Sequence, residues 1–251
     1  MEVSKTQIDR LGERLRKGNI TDDDLRLLDD YRRSFVGAHD AVVERIRQEL
    51  ALEPTGRPAK STTSIAEKLR RESIRLTQIQ DIAGCRLVVP EVADQERILA
   101  ALLKVFPKST VIDRRQKPSH GYRAVHVIAS LNSKAVEIQI RTALQQVWAE
   151  LSEKLSDLSD PAIKYGGGNE DTKELLAEVS VTIAEAEDLE SSALEIQADA
   201  DDLASSERLT EDARKATIQF QTAFDVHKAN VAAAREDTLQ VIRHLAKRFE
   251  E

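Results

Sequence analysis

Val136-Glu137-Ile138-Gln139-Ile140-Arg141-Thr142 is the stretch on which the fold of this chain turns. β-Branched Val136, Ile138 and Ile140 recur at every second position, which is the period of a strand. That period sends these three to one face of a sheet and Glu137, Gln139 and Arg141 to the other. One face is then apolar and packed, while the opposite face carries a carboxylate, an amide and a guanidinium in a row. A solvated edge strand fits this pattern as well as a functional strand does, so the neighbouring stretches decide.

Working outward, Ala124-Val125-His126-Val127-Ile128 reads as a second strand, joined to the first by a turn at Asn132-Ser133 to make a hairpin. Before it lies a basic loop, Arg114-Arg115-Gln116-Lys117-Pro118-Ser119-His120-Gly121-Tyr122-Arg123, and before that a strand around Thr110-Val111-Ile112-Asp113. Ile79–Val89 ends in a strand bounded by Pro90, with Asp81 just ahead of it and Arg86 within it. Asp94 caps a helix carrying Ile98, Leu99, Leu102, Leu103 and Phe106. Ser64 is placed as the N-cap of another helix, with Glu67 three residues on and Lys68 on the same side as Ser64.

Toward the N-terminus, residues 4–17 predict an amphipathic helix ending near Gly18. Thr21 and Asp24 have capping-box spacing ahead of one long helix with the stripe Leu25, Leu28, Phe35, Val42, Ile46 and Leu50, stopped by Pro54 and Gly56. His39-Asp40 in that helix could ligate a metal, but no other histidine lies within eighty residues, and the pair reads as a surface feature. Beyond Thr142, residues Leu144, Val147, Trp148, Leu151, Leu155 and Leu158 form a helical stripe with Trp148 in the core. Gly166-Gly167-Gly168 follows no strand and precedes no Lys-Ser/Thr, so it reads as a hinge and not a phosphate loop. Residues 170–204 and 210–249 read as two long helices in a hairpin, with no evident chemistry. The second has the stripe Ile218, Phe224, Val231, Leu239, Ile242, Leu245 and Phe249.

The 251 residues suffice for one large domain or two small ones, and 41% apolar with 32% charged residues describes a globular protein with a helical bias. No run of 18 apolar residues is present and the N-terminus is polar, so a cytoplasmic protein with no membrane partner is expected. The single Cys85 excludes an internal disulfide and a cysteine-based zinc site. A net charge of -7 argues against a general nucleic-acid coat. Its distribution matters more. Residues 57–75 carry +4 and residues 104–123 carry +5, whereas residues 170–212 carry -13. The middle of the chain suits a polyphosphate and the C-terminal part does not.

Asp81 and Glu137 stand at the edges of strands among Arg57, Lys60, Lys68, Arg86, Lys117, Arg123, His126 and Arg141. Hard oxygen donors surrounded by cations fit a magnesium-bound nucleotide, because Mg²⁺ takes one or two protein carboxylates and completes its shell with phosphates and water. Tyr122, beside Gly121 on the basic loop, is placed as an exposed platform for a base, and Arg57 and Arg86 can clamp a second base. Each residue has a plainer reading. Asp81 could cap a turn, Arg86 could pair with it, Lys68, Arg70 and Arg71 could be a solvated face, and Tyr122 could be a strand-end aromatic. The order and spacing of the set decide.

That order resembles the synthetase domain of the RelA/SpoT family, which makes the alarmones pppGpp and ppGpp. The resemblance covers roughly residues 57–157. It rests on Arg57-x-x-Lys60-x-x-x-Ser64-Ile65-x-x-Lys68, on Asp81-Ile82-x-Gly84-x-Arg86, on Lys117-Pro118-x-x-Gly121-Tyr122-Arg123-x-x-His126, and on Val136–Thr142 followed by Trp148-Ala149-Glu150. It implies an α+β, nucleotidyltransferase-like mixed sheet flanked by helices. The chain then divides into N-terminal helices (1–55), a synthetase core (56–165) and a C-terminal helical hairpin (166–251).

The resemblance also implies an enzyme, a GTP diphosphokinase. It would transfer the β,γ-diphosphate of ATP to the 3′-hydroxyl of GDP or GTP and leave AMP. By the same similarity Asp81 binds Mg²⁺, and Glu137 binds it or draws the proton from the 3′-hydroxyl. Arg57 and Arg86 sandwich adenine, Lys60 and Lys68 hold ATP phosphates, and Ser64 lies in the same ATP motif. Tyr122 stacks on guanine, and Lys117, Arg123, His126, Gln139 and Arg141 lie on the GDP/GTP side.

Only about 56 residues precede the motifs, so the chain resembles the small, single-domain synthetases and is expected not to degrade alarmone through a hydrolase domain. Many members carry Glu-His after Trp-Ala-Glu; here Ser152-Glu153 follows Glu150. Two other readings stand beside the first: a toxin-like member that places the diphosphate on the 3′ end of tRNA, and a non-catalytic nucleotide-binding assembly module. A homodimer or homotetramer is expected by similarity.

Overall fold

A computed structural model describes residues 3–205 and 211–248, with only part of the side chains given in the last two helices. Phe249 therefore lies outside the described residues, as does the side chain of Leu245. In chain order the elements are α1 (Lys5–Lys17), α2 (Asp22–Arg33), α3 (Val36–Leu50), β1 (Thr55–Arg57), α4 (Thr62–Arg71), β2 (Ala83–Val89), α5 (Val92–Val105), β3 (Thr110–Asp113), β4 (Val125–Leu131), β5 (Lys134–Thr142), α6 (Ala143–Leu158), α7 (Glu170–Ser205) and α8 (Glu211–Arg248). Short 3₁₀ turns occupy Leu76–Gln78 and Pro161–Tyr165.

This is the predicted α+β architecture, a five-stranded mixed sheet flanked by helices. The strand order is β1-β2-β5-β4-β3, so the stretch 136–142 is the middle strand and the edge reading is excluded. Val136, Ile138 and Ile140 are fully buried, as their alternation requires. The β4–β5 hairpin pairs Leu131 with Lys134 and His126 with Gln139. Asn132 and Ser133 both take positive φ, 50° and 61°, the geometry that matches a two-residue turn to strand twist.

Several local expectations need correction. The single long helix after Thr21 is two helices. The Thr21/Asp24 capping box opens α2 as expected, but the ladder tightens at Ser34–Phe35, where the Phe35 amide donates to the Arg32 carbonyl and the Ser34 hydroxyl to the Tyr31 carbonyl. Leu25, placed on the stripe, is exposed. The N-cap of α4 is Ser61, not Ser64, because Ser61 Oγ accepts from the Ser64 amide at 3.2 Å. Asp94 lies in the first turn of α5, where it accepts from Arg97 at 2.7 Å. His39 is buried, and Asp40 is the exposed member of that pair.

The glycine run at 166–168 is a packed turn and not an open hinge. Gly166 and Gly168 take φ of 79° and 84°, and a Cβ on Gly166 would fall 2.1 Å from the His120 ring.

The chain forms two compact units. The first takes the chain up to Leu87 together with Ile98–Ile112 and Val125–Ile140; it holds the sheet apart from the last residues of β2, β3 and β5. The second takes Val88–Arg97, Asp113–Ala124 and the chain from Arg141 onward. Its core is built from Leu144, Val147, Trp148 and Leu151 of α6, Leu176 and Ile183 of α7, and Leu239 and Ile242 of α8. Leu239 and Ile242 belong to the predicted stripe of α8, whereas Ile218 of that stripe is exposed.

Candidate functional site

In the first unit, Asp81 lies on the approach to β2, and two lysines converge on it. Lys60 Nζ donates to one carboxylate oxygen at 2.7 Å and Lys68 Nζ to the other at 2.9 Å. Lys68 reaches it from the last turn of α4, and Lys60 from the loop after β1, whose backbone is tied to Ile82 by an amide–carbonyl bond of 2.6 Å. Burial works to raise the Asp81 pKa, but the two ammonium groups more than offset it and hold the carboxyl below the usual range.

Glu137, in the centre of β5, is held by different partners. His126 Nδ1 lies 2.7 Å from Oε1, and Gln139 Nε2 donates to Oε2 at 2.7 Å. His126 faces Gln139 across the hairpin, so its ring reaches Glu137 diagonally, an approach that sheet geometry allows to a long side chain. Burial again pushes the pKa up, and the His126 and Gln139 contacts bring it below the usual value. The Asp81 charge is felt at Glu137 and opposes its ionisation, so the two carboxylates share one electrostatic neighbourhood. Burial and the same Glu137 charge push the Cys85 thiol up to about 12, which leaves it protonated and unreactive.

Two glycines let the backbones close around this point. A Cβ on Gly84 would stand 3.0 Å from the Glu137 carbonyl oxygen, and one on Gly56 would stand 2.5 Å from the Gly84 carbonyl oxygen. The antiparallel register pairs Arg57 with Gly84 and Thr55 with Arg86. Arg57 and Arg86 are therefore diagonal neighbours on one face of the β1–β2 ladder. Arg57 is exposed, Arg86 is half-buried, and Ser64 sits half-buried in the first turn of α4.

The second unit holds the basic loop. Ser119 and Tyr122 exchange backbone hydrogen bonds of 3.2 and 3.0 Å, with His120 and Gly121 between them at φ of 54° and 85°. This tight turn presents Tyr122, but not as the exposed aromatic that was expected. The ring is half-buried, tilted against Trp148 at a centroid distance of 6.2 Å. The Arg141 guanidinium lies 5.2 Å from the Tyr122 ring centroid and donates to its hydroxyl at 3.2 Å. Arg123 approaches Glu187 of α7 at 3.8 Å, and Lys117 is exposed.

The structure thus groups Arg57, Lys60, Ser64, Lys68, Asp81, Arg86, His126, Glu137 and Gln139 in the first unit, and Lys117, Tyr122, Arg123 and Arg141 in the second. Glu187, Gln145 and Gln95 are not among the residues the sequence points to, yet with Thr142, the last residue of the central stretch, they form a buried polar chain in the second unit. One signal was available: Glu187 occupies a stripe position of α7, four residues after Ile183 and seven after Ser180.

Residues 56–156 match the region found in RelA / SpoT proteins. An uncharacterized protein of Mycobacterium tuberculosis is 39% identical over 114 residues, covering 44% of this chain and 42% of the relative. The GTP pyrophosphokinase YjbM of Bacillus subtilis is 34% identical over 128 residues, covering 45% of this chain and 57% of the relative. The chain spans about half the length of these curated relatives. The solved small alarmone synthetase 1 from Bacillus subtilis is 29% identical, covering 71% of this chain and 99% of that one with a TM-score of 0.48. Among the described residues no helix is long and apolar enough to cross a membrane.

Proposed function

We propose that this chain transfers the β,γ-diphosphate of ATP to the 3′-hydroxyl of GDP or GTP, making (p)ppGpp and releasing AMP. The observation that carries the reading is that Asp81 and Glu137 lie close enough for the charge of one to act on the other. Both are held ionised at one electrostatic neighbourhood, each with its own counter-groups. The match of residues 56–156 to the region found in RelA / SpoT proteins, and a relative named GTP pyrophosphokinase, support the same reaction.

The 3′-oxygen forms a bond to the β-phosphorus of ATP, the bond from that phosphorus to the α,β-bridging oxygen breaks, and AMP leaves. Glu137 takes the hydroxyl proton, and His126 and Gln139 orient its two oxygens for that role. Lys60 and Lys68 stand beside Asp81 as cations that a polyphosphate can draw on, a positioning and electrostatic task. Arg57 and Arg86 share a face suited to clamping adenine. Tyr122, with Lys117, Arg123 and Arg141, receives the acceptor.

Two ionised carboxylates suit Mg²⁺, so Asp81 and Glu137 would hold it. When bound, the ion neutralises charge on the β- and γ-phosphates. The exposed apolar residues Val181, Leu189 and Ile196 recur at seven- and eight-residue spacing along α7 and support self-association as a dimer or tetramer.

The test is chromatography of ATP and Mg²⁺ incubated in parallel with GDP, GTP, ADP and tRNA. AMP with a new guanosine tetra- or pentaphosphate is expected. Label from the γ-phosphate arriving on tRNA, or no AMP from any mixture, rejects the reading.

A further inference from the structure

We propose that α7 is a scaffold for the acceptor side of the site, with Glu187 as a positioning residue that acts through Arg123. The inference rests on the reaction proposed above and assigns a task to a helix whose sequence carries no evident chemistry. Four successive turns of α7 meet the loop of residues 121–123 and the start of α6. The Leu176 carbonyl accepts from Trp148 Nε1 at 2.8 Å, and Trp148 is the ring against which Tyr122 tilts. Ser180 Oγ donates to the Gly121 carbonyl at 2.7 Å. Ile183 is fully buried in the core cluster that Tyr122 packs on. Glu187 then accepts from Thr142 Oγ1 at 2.6 Å and from Gln145 Nε2 at 2.8 Å, and stands 3.8 Å from Arg123 Nε.

A buried carboxylate is costly unless it is paired and hydrogen-bonded, so its presence here calls for a reason. Helix packing alone would be served by an apolar residue at that stripe position. Thr142 caps α6 directly after Arg141, and Gln145 completes that capping box. Glu187 therefore fixes the start of α6 by hydrogen bonds and faces the Arg123 guanidinium as its opposite charge at 3.8 Å, where Arg123 Nε is buried without a hydrogen-bond partner among the described residues.

The polar chain continues away from the site. Gln145 accepts from Gln95 at 2.9 Å, and Gln95 accepts from Arg115, which is itself paired with Asp113 at 2.6 Å. Arg115 near one end of the basic loop and Arg123 at the other thus meet this network, the first by a hydrogen bond to Gln95 and the second by its charge beside Glu187. A buried hydrogen-bonded network rigidifies what it touches. A loop that holds a nucleotide gains affinity when its bound geometry is fixed in advance.

The experiment uses the full chain and compares wild type, Glu187→Gln, Ser180→Ala, Arg123→Ala and the Glu187→Gln/Arg123→Ala double variant. Steady-state AMP release gives KM for ATP and for the acceptor separately. The emission of Trp148, the single tryptophan, gives GDP binding without turnover. Glu187→Gln is expected to raise the acceptor KM and the GDP titration midpoint by about tenfold, with the ATP KM changing less than about twofold. In the Arg123→Ala background the same substitution is expected to add less than about twofold.

Equal losses for ATP and acceptor, additive effects in the double variant, or unchanged acceptor parameters in both α7 variants each overturn the proposal. Wild type that binds GDP but releases no AMP overturns the diphosphate-transfer reading, while the titrations still judge Glu187. Wild type that neither binds GDP nor releases AMP overturns both.

Discussion

At the scale of single residues, the two carboxylates are held by different partners. Asp81 carries two ammonium partners, and Glu137 carries an imidazole and an amide. Glu137→Gln keeps the shape and removes the proton acceptor. Its AMP release should fall by about 10²- to 10⁴-fold, the range of general-base catalysis, with the KM for ATP little changed. Asp81→Asn leaves Lys60 and Lys68 without their carboxylate, and should abolish turnover in the same assay. Tyr122 divides into a ring and a hydroxyl. Tyr122→Phe loses only the Arg141 bond at 3.2 Å and should shift the acceptor KM by less than about fivefold. Tyr122→Ala loses the stacking surface as well and should raise that KM by about tenfold or more, as the loss of base–aromatic stacking does elsewhere. Equal effects of the two substitutions would remove the ring from its assigned role.

At the scale of elements, close backbone approach explains two glycines in the motifs. Gly84 lets β2 lie against β5 at the residue that matters, and a Cβ there would press on the Glu137 carbonyl at 3.0 Å. Gly84→Ala should destabilise the chain by about 1–3 kcal/mol, as overpacking does, and lower activity with it; urea denaturation gives the first number and AMP release the second. Gly121 has a second constraint, a φ of 85° with Trp148 Cζ2 only 2.8 Å from its missing Cβ. Gly121→Ala should therefore disturb the Trp148 emission and the acceptor KM together, while leaving the KM for ATP unchanged. The same hairpin logic applied to 124–142 was readable beforehand, because alternation and Asn132-Ser133 are local signals. The break at Ser34–Phe35 was not, because the stripe of α2 and α3 runs through it with little loss of period.

At the scale of the whole molecule, the buried carboxylates set a dependence on pH with two limbs. Asp24, Asp81, Asp113 and Glu137 have pKa values below the ordinary ones in the folded chain. Their contribution to stability is present above the unfolded carboxylate pKa and is lost as pH falls through the folded values. Glu187, which burial raises, and Glu190 are the reverse, and Glu190 sets the upper limb. At Glu190, burial, with Glu91 and Glu187 nearby, outweighs Arg235 and pushes the pKa from 4.5 up to about 7. Its contribution is whole below 4.5 and is lost as pH rises through about 7. The thermal midpoint should therefore rise as pH is lowered from 8 toward 5.5 and fall again in stronger acid. Glu190→Gln should flatten the upper limb only; a wild-type midpoint that climbs steadily from pH 5.5 to 8 would contradict this assignment.

What the sequence determined by itself is whatever depends on neighbours along the chain. The two-residue period of 136–142, the hairpin turn, the Thr21/Asp24 capping box and the motifs between Arg57 and Glu150 are each local, and so were the strand, the class of fold and the resemblance that residues 56–156 carry. Only the tertiary structure decided that β5 lies in the middle of the sheet, that Tyr122 is half-buried against Trp148, and that Glu187 reaches Thr142, Gln145 and Arg123. These depend on contacts between residues tens of positions apart. A burial pattern shows that a side chain is enclosed, but only the packed fold shows by what.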